Sequence, residues 1–424
     1  MRKTLVAATT AAVLLGASQV PAVAAEPEIP TDVQVSWADL AKQDIRVTWK
    51  DNGEQNFVME EIDGLVLNPG SWLVRQDAGG NNEVILKSGF FHNRDKVRIT
   101  VRNKVSGDSP RAASVWFDTK LPVAPKLVGA KVLADLSLKL SWTQPKVVDS
   151  TPNDPLDRPA SDETLAVTVG TEKVALPLGS TATTIPARSL PYVVQLVAAN
   201  EWGQATPDPY LTFGTMTAGL RIDPLVNFLD SANFDLDANA RTCSGCAPIY
   251  AGGGQVSYLQ SRVDASKPWK TIGRYNGGSG PRLSYYVGSY GGQQYRVYIP
   301  AWAEISKEHR IVTPPSSTSA RYSATQTKFL VAGFNTLNAR VGQVLTTTVR
   351  IQPEPTIKAS LQWYDGKVWH HAAYIPLTKG RGTLSIKAAG RGTTRYWRVA
   401  VPKMSFNGKP IVATGSRAFK LTVR

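Results

Sequence analysis

Cys243-Ser244-Gly245-Cys246 holds the only two cysteines of the chain. A C-x-x-C motif does redox work where it joins a strand to a helix in a reducing compartment. Here it follows Asp235–Thr242, which reads as a polar loop, so the expected product is a Cys243–Cys246 disulfide closing a short loop. The competing reading is half a zinc site. It lacks a second cysteine pair, and the nearest histidine in sequence is His309. Asp235-Leu236-Asp237-Ala238-Asn239 begins like a calcium loop. Ala240 stands at the sixth position in place of Gly and Cys246 at the twelfth in place of Glu, so a polar turn is the better reading.

Other chemistry is equally thin. His370 and His371 are adjacent, and on a strand adjacent residues point to opposite faces. Nothing local fixes a working separation for Glu60, Glu61 and Asp63. No G-x-S-x-G, H-E-x-x-H or P-loop motif occurs. Two cysteines exclude a four-cysteine metal site, and 4 histidines in 424 residues leave little for His-based catalysis. The chain reads as a non-enzymatic protein with no cofactor and no metal. A hydrolase with a fold-internal site is the reading kept in reserve.

Two surfaces remain. Tyr275, Tyr285, Tyr286 and Tyr290 crowd Gly-rich turns, and exposed tyrosines stack on sugar rings. Their plain alternative is core packing and scattered surface rings. The second surface is basic. Residues 26–215 hold 19 Lys+Arg and 24 Asp+Glu, whereas residues 216–424 hold 27 and 9. Residues 350–424 alone hold 14 and 2. Such a field attracts polyanions, more strongly at low salt. Lys379, Arg381, Lys387, Arg391 and Arg395 gather in a short Gly- and Thr-rich stretch. With Leu384 and Ile386 inward, Thr383, Ser385 and Lys387 form an open face. The alternative for this charge is solubility and protection of sheet edges.

The elements that position these groups are strands. Val33–Trp37, Ile45–Trp49, Val97–Val101, Leu138–Trp142 and Tyr192–Ala198 alternate apolar and polar residues, with Gly, Pro, Asn and Asp clusters between them. The expected class is all-β, built from β-sandwiches. A repeat runs through the first half. Pro30 precedes Trp49, and Pro125 precedes Trp142. Val97-x-Ile99-x-Val101-x-Asn103 with Gly107 then matches Tyr192-x-Val194-x-Leu196-x-Ala198-x-Asn200 with Gly203. This pattern resembles the fibronectin type III domain. The first copy departs from it, with Asp95 in place of the usual Tyr and Val101 in place of Ala. Both tryptophans suit the space between two sheets.

A second repeat occupies the other half. Leu259-Gln260, Trp269 and Tyr295-Arg296-Val297-Tyr298-Ile299-Pro300 are answered by Leu361-Gln362, Trp369 and Trp397-Arg398-Val399-Ala400-Val401-Pro402. Tyr295, Val297 and Ile299 are expected inward, as are Trp397, Val399 and Val401. Asp365-Gly366 is a two-residue hairpin signal. This repeat resembles the immunoglobulin-like β-sandwich modules of secreted actinobacterial proteins. The expected organisation is a signal peptide at 1–25, type III-like domains at 26–120 and 121–215, and an immunoglobulin-like domain at 216–312. A Pro/Ser/Thr linker at 313–328 and a basic immunoglobulin-like domain at 329–424 follow.

The leader has Arg2 and Lys3, an apolar Leu5–Ala17 stretch, and Ala22-Val23-Ala24 ahead of a cleavage site. The stretch falls short of the roughly 20 apolar residues a membrane span needs. The protein is therefore expected to be secreted, extracellular or cell-wall associated, with no membrane span. Its expected role is binding or adhesion, the basic half attaching to an anionic cell-envelope polymer or extracellular glycan. The type III-like pair offers a surface for a protein partner, and no specific nucleic acid is expected. The alternative is a specific extracellular carbohydrate-binding protein using the tyrosines.

Overall fold

The structure is a computed structural model. It describes residues 29–424 except 67–71, 92, 105–109, 146–147, 160–162, 206–208, 244–245, 247–254, 277–281 and 307–309, and only the backbone of 282–285. The leader, with its cleavage site, lies outside the described residues. Among the described residues no helix is long and apolar enough to cross a membrane.

The chain forms two compact units. The smaller comprises residues 1–122, 147–163 and 199–204. One of its sheets orders Thr31–Asp39, Asp44–Lys50 and Glu83–Lys87. The other is built on Asn56–Ile62 and Val97–Arg102. Alternate residues of both sheets meet in one core, where Ile45, Val47, Val97, Ile99 and Val101 are fully buried. Trp49 lies among them at 4% exposure, as its place at the end of an alternating run predicts. Trp202, from the 199–204 segment, completes this core and stacks on Phe117 with ring centroids 6.3 Å apart.

The larger unit carries three sandwiches. In the first, Lys126–Val132, Leu138–Thr143 and Ala182–Ile185 cover a sheet built on Thr164–Val169 and Tyr192–Asn200. Trp142 is buried in its core. In the next, Thr215–Ile222, Ser231–Arg241 and Arg282–Gly288 form one sheet. The facing sheet orders Leu225–Asn227, Arg321–Gln326, Gln293–Ile299, Val256–Arg262 and Lys270–Asn276. The last pairs Lys328–Phe334, Val344–Gln352 and Arg381–Lys387 against Asn338–Ala339, Phe419–Val423, Thr394–Val401, Ile357–Tyr364 and Trp369–Leu377. The last two are called here the 216–326 and 328–424 sandwiches. The inward sets are as expected: Tyr295, Val297, Ile299, Val399 and Val401 are buried, and Trp397 is half-buried on the same side.

Three readings of the sequence are corrected. Asp235–Arg241 is not loop but the second half of strand Ser231–Arg241. Ala232, Phe234, Leu236 and Ala240 are its buried side, and the intervening Asp and Asn residues disguise the period of two. The Asp365-Gly366 hairpin has a four-residue connection, since Tyr364 pairs directly with Trp369. Residues 313–328 are not a spacer. Ser316–Ser317 and Arg321–Gln326 both pair with Gln293–Ile299.

The two repeat copies also share a detour. After Pro300 the chain leaves its own sandwich as a hairpin, Trp302–Ile305 and Arg310–Thr313. The second of these strands adds in parallel to Leu211–Phe213, and Val312 is fully buried in the preceding core. After Pro402 a second hairpin, Met404–Phe406 and Lys409–Ile411, turns to the preceding sandwich in the same way, but it forms a two-stranded sheet of its own, and only an isolated bridge from Val412 to Gln326 joins the chain there. Gly292 N–H donates to Pro410 at 2.7 Å, and Phe406 packs edge-on to Phe228 at 5.5 Å. A Cβ on Gly292 would run into Tyr322 and Pro410, so the close approach requires glycine. Proline cannot extend the ladder it terminates, which releases the chain at the same point in each copy.

Candidate functional site

The basic residues do not form one patch. Strand Arg381–Lys387 alternates as predicted, with Leu384 and Ile386 packed on the core and Arg381, Thr383, Ser385 and Lys387 outward. Arg381 and Lys387 therefore stand at opposite ends of one strand, roughly 20 Å apart by strand rise. Arg381 lies directly opposite Arg350. Like charges so placed repel. Lys379 is exposed in the adjoining turn, in the left-handed region at φ 52°. Arg391 is exposed in the turn before Thr394–Val401. Arg395 belongs to the other sheet, with its guanidinium 4.6 Å above the Trp363 ring. Trp363 stacks on His370 at 4.7 Å, and His370 Nε2 lies 2.6 Å from Asp365 Oδ2.

What unites these groups is the absence of counter-charge. Among the described residues, no lysine or arginine from 340 to 424 has a carboxylate within 4 Å. Asp365 is paired with His370, and among the described residues Glu354 makes no ion pair. The smaller unit behaves otherwise: Lys50 with Asp32 at 2.8 Å, Lys87 with Asp44 at 2.7 Å, and Arg98 with the buried Glu61 at 2.7 Å.

The tyrosines separate as well. Tyr275 is half-buried against the core of the 216–326 sandwich, so it offers no free ring. Tyr285 lies opposite Phe234, and its side chain is outside the described set. Tyr286 is 66% exposed and lines an open groove of about 860 Å³ with Arg221, Asp235, Arg321 and Tyr322. Tyr290 is 54% exposed, with its ring edge-on to Phe228 at 6.2 Å. Cys243 and Cys246 form the disulfide, with Cα atoms 5.2 Å apart. His370 and His371 turn to opposite faces as expected, His370 to Trp363 and His371 to Tyr374 at 4.3 Å.

The repeat motif contains a unit that residue spacing alone did not reveal. Arg296 Nε donates to Gln260 Oε1 at 2.8 Å while its guanidinium lies 4.5 Å over Trp269. Arg398 Nε donates to Gln362 Oε1 at 2.7 Å, with its guanidinium 4.3 Å over Trp369. Cation–π stacking and a fixed acceptor hold each guanidinium flat on the outside of its sheet. The smaller unit holds another missed group. Burial pushes the Asp154 carboxyl up to about 6 and raises Asp118 and Asp157 with it. Thr151 Oγ1 donates to Asp154 at 3.0 Å, and among the described residues no group of three or more side chains is placed to hold a metal.

No family model matches the chain, and no curated protein matches it. Among solved structures it is similar to the FN1–FN3 domains of chicken CNTN1, at 12% identity over 72% of this chain and 99% of that one, with a TM-score of 0.19. It is similar too to the three N-terminal domains of the Highly Immunogenic Outer Capsid protein of bacteriophage RB49, at 10% identity, the same coverages and a TM-score of 0.27. The fold is all-β, made of β-sandwiches.

Proposed function

We propose that the chain is a secreted, non-enzymatic binding or adhesion protein whose 328–424 sandwich attaches it to an anionic polymer of a cell envelope. The observation that supports this is the set of 14 Lys+Arg against 2 Asp+Glu in residues 350–424, none of the basic groups there paired with a carboxylate among the described residues. Several weak contacts along one polymer add through effective concentration, so no single strong pocket is required. The other sandwiches serve as spacers and as surfaces for a protein partner.

The test is sedimentation of the purified full chain with isolated Gram-positive walls across a salt series. Walls stripped of anionic polymer are the comparison. Co-sedimentation at low salt, release at high salt and indifference to stripped walls support the proposal. Equal pelleting with stripped walls, or none with either, overturns it.

A further inference from the structure

We propose that the outer face of the larger sheet of the 328–424 sandwich is a platform for an anionic polysaccharide. Tyr374 and Tyr396 would be its stacking rings, and Arg398, held over the half-buried Trp369, the group that meets the acidic substituent. This rests on the attachment reading above and gives that attachment a seat.

Register puts these residues on one face. Opposite residues of antiparallel strands share a face, and Tyr364 pairs with both Trp369 and Tyr396. Gln362 pairs with Arg398 and His371, and Ser360 with Tyr374. The face they share is the outer one, since Leu361, Ile375 and Val399 are buried on the other side. From Ser360 to Tyr364 the strand rises about 13 Å, room for a short run of sugar rings. Tyr374 is 60% exposed and Tyr396 50% exposed, so neither closes a core.

The fold does not account for these rings. In the 216–326 sandwich the same register positions hold Arg262 in place of Tyr364 and Gln294 in place of Tyr396. There Arg262 and Arg296 both lie over Trp269, at 4.3 and 4.5 Å, and Arg262 Nε donates to Gln294 at 2.8 Å. That face also carries Tyr258 and Tyr298 where the other has Ser360 and Ala400, but these two rings are half-buried and stack on each other at 6.4 Å, so its arginines and rings are paired among themselves. In the 328–424 sandwich the Gln–Arg–Trp frame is kept, but the second arginine is gone, and Tyr374 and Tyr396 are exposed beside it. An aromatic face offers flat apolar patches with a polar rim, the complement of a pyranose ring. Charge selects the class of sugar: Arg398 has no carboxylate within 4 Å among the described residues, and exposed Lys358 and Lys420 flank the rings. A neutral glycan would leave that charge unanswered. A polyanion without rings would leave the tyrosines unused.

The test is isothermal titration of the full chain with polygalacturonate, with polyphosphate of matched charge, and with dextran. Y374A/Y396A and the ring-retaining Y374F/Y396F are the variants. The expected result is tighter binding of polygalacturonate than of polyphosphate, and weak binding of dextran. Y374A/Y396A should lose roughly ten-fold on polygalacturonate and nothing on polyphosphate, while Y374F/Y396F keeps its affinity. Unchanged polygalacturonate binding by Y374A/Y396A overturns the platform and leaves electrostatic attachment standing. So does an equal loss in Y374F/Y396F, because the rings are still present. Dextran binding as tight as polygalacturonate overturns the anionic assignment. Absence of binding to either polyanion overturns both the platform and the attachment reading.

Discussion

The 216–326 and 328–424 sandwiches share a frame and differ in what they leave open. Each buries a leucine and presents the next residue, a glutamine, as acceptor to an arginine laid on a tryptophan. In the 216–326 sandwich a second arginine covers the ring, and the surface is closed by its own contacts. In the 328–424 sandwich tyrosines replace the arginine and its glutamine partner, and the surface stays open. A frame repeated with its contacts intact supports the sheet. Residues that vary around that frame set how much of each face stays open.

Four experiments break or sharpen this comparison. The largest effect comes from the shared leucine. Leu259→Ala and Leu361→Ala each delete a fully buried side chain and should cost about 2–5 kcal/mol, read by urea unfolding. Equivalent positions predict similar costs, and a several-fold disparity would show that the two cores are built differently. Next are Arg296→Ala and Arg398→Ala, each expected to cost about 1–2 kcal/mol by removing a stack and stranding a glutamine acceptor. Lysine at either position should not restore the loss, because it lacks the planar fork. Third, R262Y/R274Y/Q294Y builds the open arrangement into the 216–326 sandwich, with tyrosines at the register positions of Tyr364, Tyr374 and Tyr396. The full chain should then gain several-fold in polygalacturonate affinity, and no gain would mean that the tyrosines alone do not make the site.

The smallest effect lies in the hairpins. Ser266 holds the Asp264 carboxyl below its ordinary value through its side chain and backbone N–H. Asp365 is held well below it by the backbone N–H of Val368, then by His370 and the Lys367 N–H. The stability each adds is complete above about pH 4, the unfolded value, and is lost as pH falls through the folded one. Thermal unfolding at pH 7 and pH 3 should therefore show a shallower acid loss in D365N than in the unchanged chain. D264N should flatten it less, having no histidine contact to lose.

Period-two alternation is enough to predict the strand class, the buried tryptophans and the inward sets of the second repeat, because burial on one face writes itself into every second residue. It also suffices for the outward set of Arg381–Lys387. It fails where geometry breaks the period. Leu361 pairs with Ala373 but Gln362 pairs with His371, a one-residue irregularity in the 369–377 strand. That shift decides which face Tyr374 takes, and counting along the sequence cannot find it. The two detour hairpins were equally hidden. They are short, and the strands they join lie far away along the chain. Arg395 was grouped with Arg391 by proximity in sequence, yet one is in a turn and the other rests on a ring.

Those hairpins impose a schedule on assembly. As the chain is synthesised, strand Leu211–Phe213 must wait about 100 residues for the partner that pairs alongside it. Until then it is an unpaired edge, open to the wrong neighbour. The Met404–Ile411 hairpin adds no strand to the 216–326 sandwich, but the Gly292 and Thr325 backbone groups that bond to Pro410 and Val412 wait for it. The sandwich that contains Leu211–Phe213 thus cannot finish before the chain reaches Thr313. A chain halted before that point would carry an unfinished edge, and the last strand to pair would set when the sandwich before it becomes complete.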